Sequence, residues 1–419
     1  MSFANPVAVR IALIVAAIGS FCSPPVANVG VGLALVLTLA SGPSRARLVV
    51  AARQPLGIGA LSLFAVMALA MCWAPVPWPA RFAAWWNWRT MLLIVLAAAA
   101  FGDQRWKERF CLALVAAATL GALASFAMVA ANVTLEPGLP GTLFLNHVTQ
   151  SMALAVAVLL AAVLAAQPER SIRSRVLLGA AVLVCLANLV LVSAGRSGQV
   201  AVAAAGLSAA WLMLTGRRRW QALLALLVLG AALTAASPAL QQRFGKIAQE
   251  APKLDCSTRE ESSTALRLLL WRTTGALILE HPWFGYGVGG FTPAYERQVP
   301  SQVGGQPLVN WCARPAHDPH NQYLRVTVEA GVLGLVAFLG LLIGAARQPA
   351  SQPYRAAALA LLAAWCTTSL FNSHFQTFNE GHLIALLLGA LLAPDIAPDS
   401  TPGEAQLASA PSTTLRTSA

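Results

Sequence analysis

Charge is what this chain has least of. Asp, Glu, Lys and Arg make up 11% of its 419 residues while hydrophobic residues make up 57%, and the mean hydropathy is +0.66. A soluble globule would carry about a quarter charged residues, so that class is excluded and an all-α polytopic integral membrane protein is indicated. Acidic residues are scarcer still, 16 against 28 basic for a formal net charge of +12. The basic residues are dispersed and lack an aromatic-lined groove, which excludes a nucleic-acid partner. The long polar segment 237–323 has no Asp-x-Asp pair, so neither a metal nor a cofactor is expected. A cleavage site is also missing after the first apolar run, which leads directly into a second; the first helix is expected to stay.

What the chain does have is apolar runs close to the about 20 residues that cross a hydrocarbon core of about 30 Å. Twelve are expected, at 6–22, 25–41, 55–73, 84–101, 110–132, 147–166, 176–194, 199–215, 219–236, 324–346, 353–372 and 380–394. Basic residues fall in alternate loops: Arg45, Arg47 and Arg53; Arg105, Lys107 and Arg109; Arg170, Arg173 and Arg175; Arg217, Arg218 and Arg219; Arg347 and Arg355. Such residues accumulate on the cytoplasmic side during insertion. Both termini are therefore expected in the cytoplasm and segment 237–323 on the outer face. The domains read as 1–236 with transmembrane helices 1–9, a large and partly helical outer segment 237–323, 324–394 with helices 10–12, and a disordered tail 395–419 rich in Ala, Ser, Thr and Pro. In an oxidising outer compartment Cys256 and Cys312 would be able to pair, closing a long loop; two free thiols are the alternative.

The polar outliers gather at the outer ends of the spans. Residues 317–323 read His-Asp-Pro-His-Asn-Gln-Tyr just before the tenth run, and nine residues separate Asn321 from Gly331, with Gly334 beyond. Asp318 is expected as an N-cap and Pro319 as the first residue of the helix, which places His320 in the first turn, where the helix dipole disfavours imidazolium. Upstream, Arg267 and Trp271 stand i and i+4 on a helical face before the turn Pro282-Trp-Phe-Gly-Tyr-Gly. Ser193 and Arg196 close the seventh run, on the side that insertion depletes of arginine. Asn146, His147 and Gln150 open the sixth run, either as a polar cap or as part of a site. Arg81 lies amid Trp73, Trp78, Trp85, Trp86 and Trp88, an interfacial belt in which it contacts lipid phosphate or serves as an anchor.

The spacing around His320, the Arg-x-x-x-Trp helix with its Gly-rich turn, and Ser193-x-x-Arg196 together resemble the O-antigen ligase and O-antigen polymerase superfamily of bacterial envelope glycosyltransferases. Over 190–335 the likeness rests on motifs; over the rest it rests on hydropathy. The resemblance implies a GT-C-like architecture in the bacterial inner membrane, with the active site facing the periplasm. It also selects His320 over His317 as the base. A neutral imidazole can take a proton from an attacking sugar hydroxyl, and Arg196 and Arg267 offer forked donors to a diphosphate leaving group. Asn321, Tyr323 and Glu329 are supporting positions, Glu329 matching a family acidic residue that orients His or Arg or only packs. Within the superfamily, one dominant outer segment resembles the ligases. These move a glycan from undecaprenyl diphosphate to a sugar of lipid A-core, here without metal and with inversion. Polymerases and protein O-oligosaccharyltransferases are the alternatives, and a lipid-linked-oligosaccharide transporter a distant one.

Overall fold

A computed structural model describes residues 6–236, 256, 263–303 and 309–395. Most of the expected outer segment before 263, residues 304–308 and the tail from 396 lie outside the described residues. The described chain is helical: α1 (Pro6–Cys22), α2 (Pro24–Ala40), α3 (Gly42–Arg53), α4 (Pro55–Leu69), α5 (Trp78–Trp86), α6 (Thr90–Ala100), α7 (Gln104–Ala130), α8 (His147–Ala165), α9 (Ile172–Leu191), α10 (Arg196–Met213), α11 (Gly216–Ala236), α12 (Ser263–Glu280), α13 (Phe291–Gln302), α14 (Gln322–Arg347), α15 (Tyr354–Thr368) and α16 (Phe378–Leu391). Among the described residues the only extended pairing is an isolated bridge between Glu136 and Leu139.

Each of the twelve expected runs is helical, with corrections at the ends. The 84–101 run is two helices, α5 and α6, joined by a 3-10 turn at Asn87–Arg89. The basic stretch after α2, expected as a loop, is the helix α3, bent 108° from α2. Ser41 causes the break: its backbone is extended, its hydroxyl accepts the Ser44 N–H, and a proline follows at the start of α3. By length and composition, five helices among the described residues can cross a membrane, or six if the α2–α3 pair counts as one; α1, α4 and α16 are apolar but shorter. A 15-residue helix such as α4 extends about 22 Å, less than a full hydrocarbon core.

Burial is arranged for lipid rather than water. α8 and α16 are enclosed along nearly their whole lengths, whereas α9 and α11 hold apolar side chains outward, Leu177 at 72% and Leu227 at 59% exposure. Helices apolar on the outside and packed on the inside are what a membrane protein presents. A second, smaller core adjoins the bundle at α14: Leu269, Leu270, Tyr295, Trp311 and Val328 of α14 belong to one buried cluster with the disulfide joining Cys256 and Cys312.

Helix ends are tied at two levels. At one, Arg10 Nε donates to the Ala100 carbonyl at 2.8 Å, Lys107 Nζ reaches Asp395 at 2.9 Å and Arg170 pairs with Glu108 at 2.8 Å. At the other, the Thr149 hydroxyl donates to Glu380 at 2.7 Å, Asn372 Nδ2 to the Ser197 hydroxyl at 3.0 Å, and the Gln322 N–H to the Ser369 carbonyl at 2.8 Å. The first level is rich in basic residues. The second holds the polar cluster.

Candidate active site

Asn321, not Asp318, caps α14. Its Oδ1 accepts from the N–H groups of Tyr323 and Leu324, at 3.0 and 3.1 Å. Asp318 instead accepts the His320 N–H at 2.9 Å and the Ser373 hydroxyl at 2.6 Å. His320 therefore stands just outside the helix, half-buried, with φ at +51°. That conformation is rare for a residue with a Cβ, and the Asp318 bond and the Asn321 cap hold it from either side. The expected place in the first helical turn is thus corrected: a better cap, able to meet two orphan N–H groups, lies three residues later.

The neighbouring helix meets this turn. Trp271 Nε1 on α12 donates to the Pro319 carbonyl at 3.1 Å, and its ring packs 6.3 Å from that of Phe371. One turn earlier on α12 lies half-buried Arg267. Burial pushes the Arg267 guanidinium toward its neutral form, and the charge of nearby Arg196 pushes it the same way. The fold thus brings two arginines 71 positions apart in sequence within electrostatic reach of each other. Arg196 is the first residue of α10 and is exposed, beyond a Gly195 cap whose N–H donates to the Ser193 hydroxyl at 3.4 Å.

One element that joins these parts was not legible in the motifs. The turn 369–377 between α15 and α16 bonds to the start of α10 through Asn372, to Asp318 through Ser373 and to Trp271 through Phe371. It is bound to the head of α14 at three further points: the Ser369 carbonyl on the Gln322 N–H, the Leu370 carbonyl on Asn321 Nδ2, and the Phe375 N–H on Gln322 Oε1. Its polar run Asn372-Ser-His, between two apolar stretches, was the available signal.

Other sequence candidates are bonded within the fold. Gln150 is buried, accepting from the Leu143 and Phe144 N–H groups and donating to the Gly141 carbonyl. Asn146 caps α8 on the Thr149 N–H, and His147 is held by Glu136 through its ring and its N–H, both at 2.8 Å. Arg81 donates to the Val76 and Met71 carbonyls at 2.6 and 2.9 Å and lies over the Trp78 ring, so it anchors its own loop. The Tyr323 hydroxyl donates to the Cys366 carbonyl at 3.0 Å, joining α14 to α15. The exposed His317 ring bonds the Thr292 hydroxyl at 3.1 Å.

Glu329 is fully buried and pairs with Arg325, one helical turn before it, at 2.8 Å; Arg325 also donates to the His317 carbonyl. The sequence reading passed over Arg325, although opposite charges four apart in an apolar span are a signal in themselves. Glu329 accepts the Gly289 N–H at 3.3 Å, and so ties the Gly-rich turn to α14. The tie continues at a break in the helix. Gly331 has φ +62° and ψ −157°, which frees backbone groups on both sides, and the turn takes them up: the Tyr286 N–H donates to Val328 and the Val332 N–H to Pro282, each at 2.8 Å. Irregular backbone at this depth persists only when re-satisfied in this way.

A Cβ on Gly331 would fall 2.2 Å from the Trp283 backbone, whereas one on Gly340 in the same helix meets nothing within 4 Å. Gly331→Ala is expected to destabilise the protein by about 2 kcal/mol or more, and Gly340→Ala to be neutral or stabilising by about 0.5–1 kcal/mol. Denaturant unfolding in detergent reads both; equal effects would contradict the account of the break.

Residues 181–339 match a family model described as O-antigen ligase. Over that stretch the chain is similar to the O-antigen ligase family. The matched stretch holds Ser193, Arg196, Arg267, Trp271, the Gly-rich turn, His320 and both members of the Arg325–Glu329 pair. A protein of Rickettsia conorii named "Putative polysaccharide ligase" is 26% identical over 166 residues, 38% of this chain and 40% of the relative. A protein of Rickettsia felis bearing the same name matches to the same extent. The alignment thus spans less than half of these relatives, as it spans less than half of this chain. The matched stretch comprises the last part of α9, α10 to α13 and most of α14. α15, α16 and the 369–377 turn that completes the cluster lie beyond it.

Proposed function

We propose that the protein is an O-antigen ligase, transferring a glycan from undecaprenyl diphosphate to a sugar hydroxyl of lipid A-core. The observation that carries this reading is that the start of α10, with Arg196, and α12, with Arg267, both meet the 369–377 turn that also bonds Asp318 beside His320, which leaves the two arginines within electrostatic reach of each other. Two cations within electrostatic reach, Arg267 half-buried and Arg196 exposed, repel each other, and a diphosphate would relieve that repulsion while offering its oxygens to both forks. His320 then takes the acceptor hydroxyl proton as that oxygen bonds to the anomeric carbon. The diphosphate departs with the bonding pair, its growing charge met by the arginines. A single displacement of this kind inverts the anomeric centre. Trp271 and Asp318 set the position of the His320 turn, and Arg325 with Glu329 holds the Gly-rich turn against it.

The placement in the membrane follows the charge. With the Arg- and Lys-rich loops in the cytoplasm, twelve spans leave both termini there, and the site faces the periplasm from the inner membrane. The second core around the Cys256–Cys312 disulfide then belongs to the periplasmic segment 237–323, an oxidising place.

The test is transfer by purified protein from lipid-linked O-antigen to lipid A-core, read as acceptor mass with and without EDTA. Glycosylated lipid A-core at an unchanged rate in EDTA is expected. Elongation of the lipid-linked glycan instead would mean a polymerase, and glycan on protein a protein O-oligosaccharyltransferase. Loss of turnover in EDTA, restored by a divalent ion, would overturn the metal-free mechanism.

A further inference from the structure

His374, in the 369–377 turn, is 1% exposed, and neither ring nitrogen has a hydrogen-bond partner. Buried polar groups are nearly always bonded, so an imidazole with both nitrogens unused is a costly arrangement that asks for a purpose. The charged and titratable groups within electrostatic reach of it are Glu380 from α16 and Asp318 and His320 from the turn before α14. Burial holds the ring toward its neutral form; the two carboxylates oppose that, and His320 reinforces it. Glu380 is itself 5% exposed, with one oxygen accepting from the Thr149 hydroxyl at 2.7 Å and the other from the Thr377 hydroxyl at 2.8 Å. His374 is fixed next to the His320 turn because its neighbour Ser373 bonds Asp318, which also holds the His320 N–H.

We infer that His374 is a positioning residue acting through His320, and that it carries away, toward Glu380, the proton that His320 collects in each turnover. The inference rests on the reading of His320 as the base. In one cycle the acceptor O–H bond breaks and an N–H bond forms on His320. That proton passes through water to one ring nitrogen of His374, while the proton on the other nitrogen passes through water to a Glu380 carboxylate oxygen. His320 is then neutral for the next acceptor, and Glu380 returns its proton to solvent as the His374 tautomer resets. A neutral imidazole suits this task because it accepts on one side and donates on the other.

The test compares wild type with His374→Gln in the full-length protein in detergent, following donor consumption with lipid-linked O-antigen and lipid A-core. The variant is expected to give a burst of one glycan per protein and then a steady rate about ten-fold below wild type. Raising the concentration of imidazole buffer at constant pH and ionic strength should restore that rate, since a small carrier replaces the blocked route. Glu380→Gln interrupts the route at its other end and should show the same burst and rescue; it decides the matter if His374→Gln does not purify as a folded species. Slow steady turnover without a burst, or a rate indifferent to imidazole, would overturn the inference, because a structural defect slows the first turnover and the later ones alike. A wild type that transfers glycan while neither variant shows burst and rescue sinks this inference alone. A wild type that consumes no donor with any acceptor overturns the reading of His320, and this inference with it.

Discussion

His320→Ala is expected to lower glycan transfer at least about 100-fold while leaving the protein folded, because a positioned general base contributes about 10²–10⁴. The side chain is half-buried beside the turn, and the bonds that set the loop involve its backbone N–H rather than its ring. Truncation therefore removes chemistry without unlatching Asp318 or the Asn321 cap. His317→Ala supplies the contrast. Its ring lies against Thr292 and is exposed, and the Arg325 bond is made to its carbonyl, so a loss of less than about three-fold is expected, well short of a base's contribution. Acceptor mass after matched reactions measures both. Equal losses would leave the choice of base unsupported, and an active His320→Ala would remove it from the mechanism.

Removing either arginine should produce the second large effect. Arg267→Ala and Arg196→Ala are each expected to reduce turnover by about 10²–10³, the scale for losing a donor that meets developing charge. Lysine should not restore activity at position 267, since an ammonium lacks the planar fork that spans two phosphate oxygens. Stability is expected to move the other way. In the free protein Arg196 lowers the proton affinity of Arg267, so deleting Arg196 relieves a repulsion, and thermal unfolding without donor should be unchanged or slightly higher. Added lipid diphosphate should stabilise wild type through binding to the folded state alone and stabilise Arg196→Ala less. A variant that loses activity and stability together would mean that the pair holds the fold instead. The double variant is expected to lose less than the sum, because the two residues share one partner.

Much of this site could be read before any geometry was known. His320, Arg196 and Arg267 stand out because each is a polar residue beside an apolar run, where the reason for its presence has to be local. The Gly331 spacing was visible as spacing, but its cause was not: the glycine sits where a helix breaks and a turn from 45 residues upstream enters the gap. The Asn146, His147 and Gln150 group, visible in the same way, makes capping and packing bonds to Glu136, Thr149 and the 141–144 backbone, which no short window of sequence shows. Polar residues near a helix end look alike in sequence whether they bind a ligand or their own loop. The 369–377 turn went unread for a similar reason. Its bonds to the cluster are with residues 47 to 175 positions away, a distance over which no periodicity carries information.

The amino-acid sequence by itself determined the membrane class, the positions of the helices and the uneven distribution of basic residues, because hydropathy and charge are properties of short windows and need no partner. It also determined which residues would be costly to leave unpaired. Only the tertiary structure decided which of those costs are met within the fold and which are left for a substrate. It gave Gln150 and Arg81 to backbone carbonyls and Glu329 to Arg325, brought Arg196 within electrostatic reach of Arg267, and left both nitrogens of His374 unbonded near His320. Hydrogen bonds and ion pairs form over about 3–4 Å, and only the packed bundle brings distant stretches of chain that close.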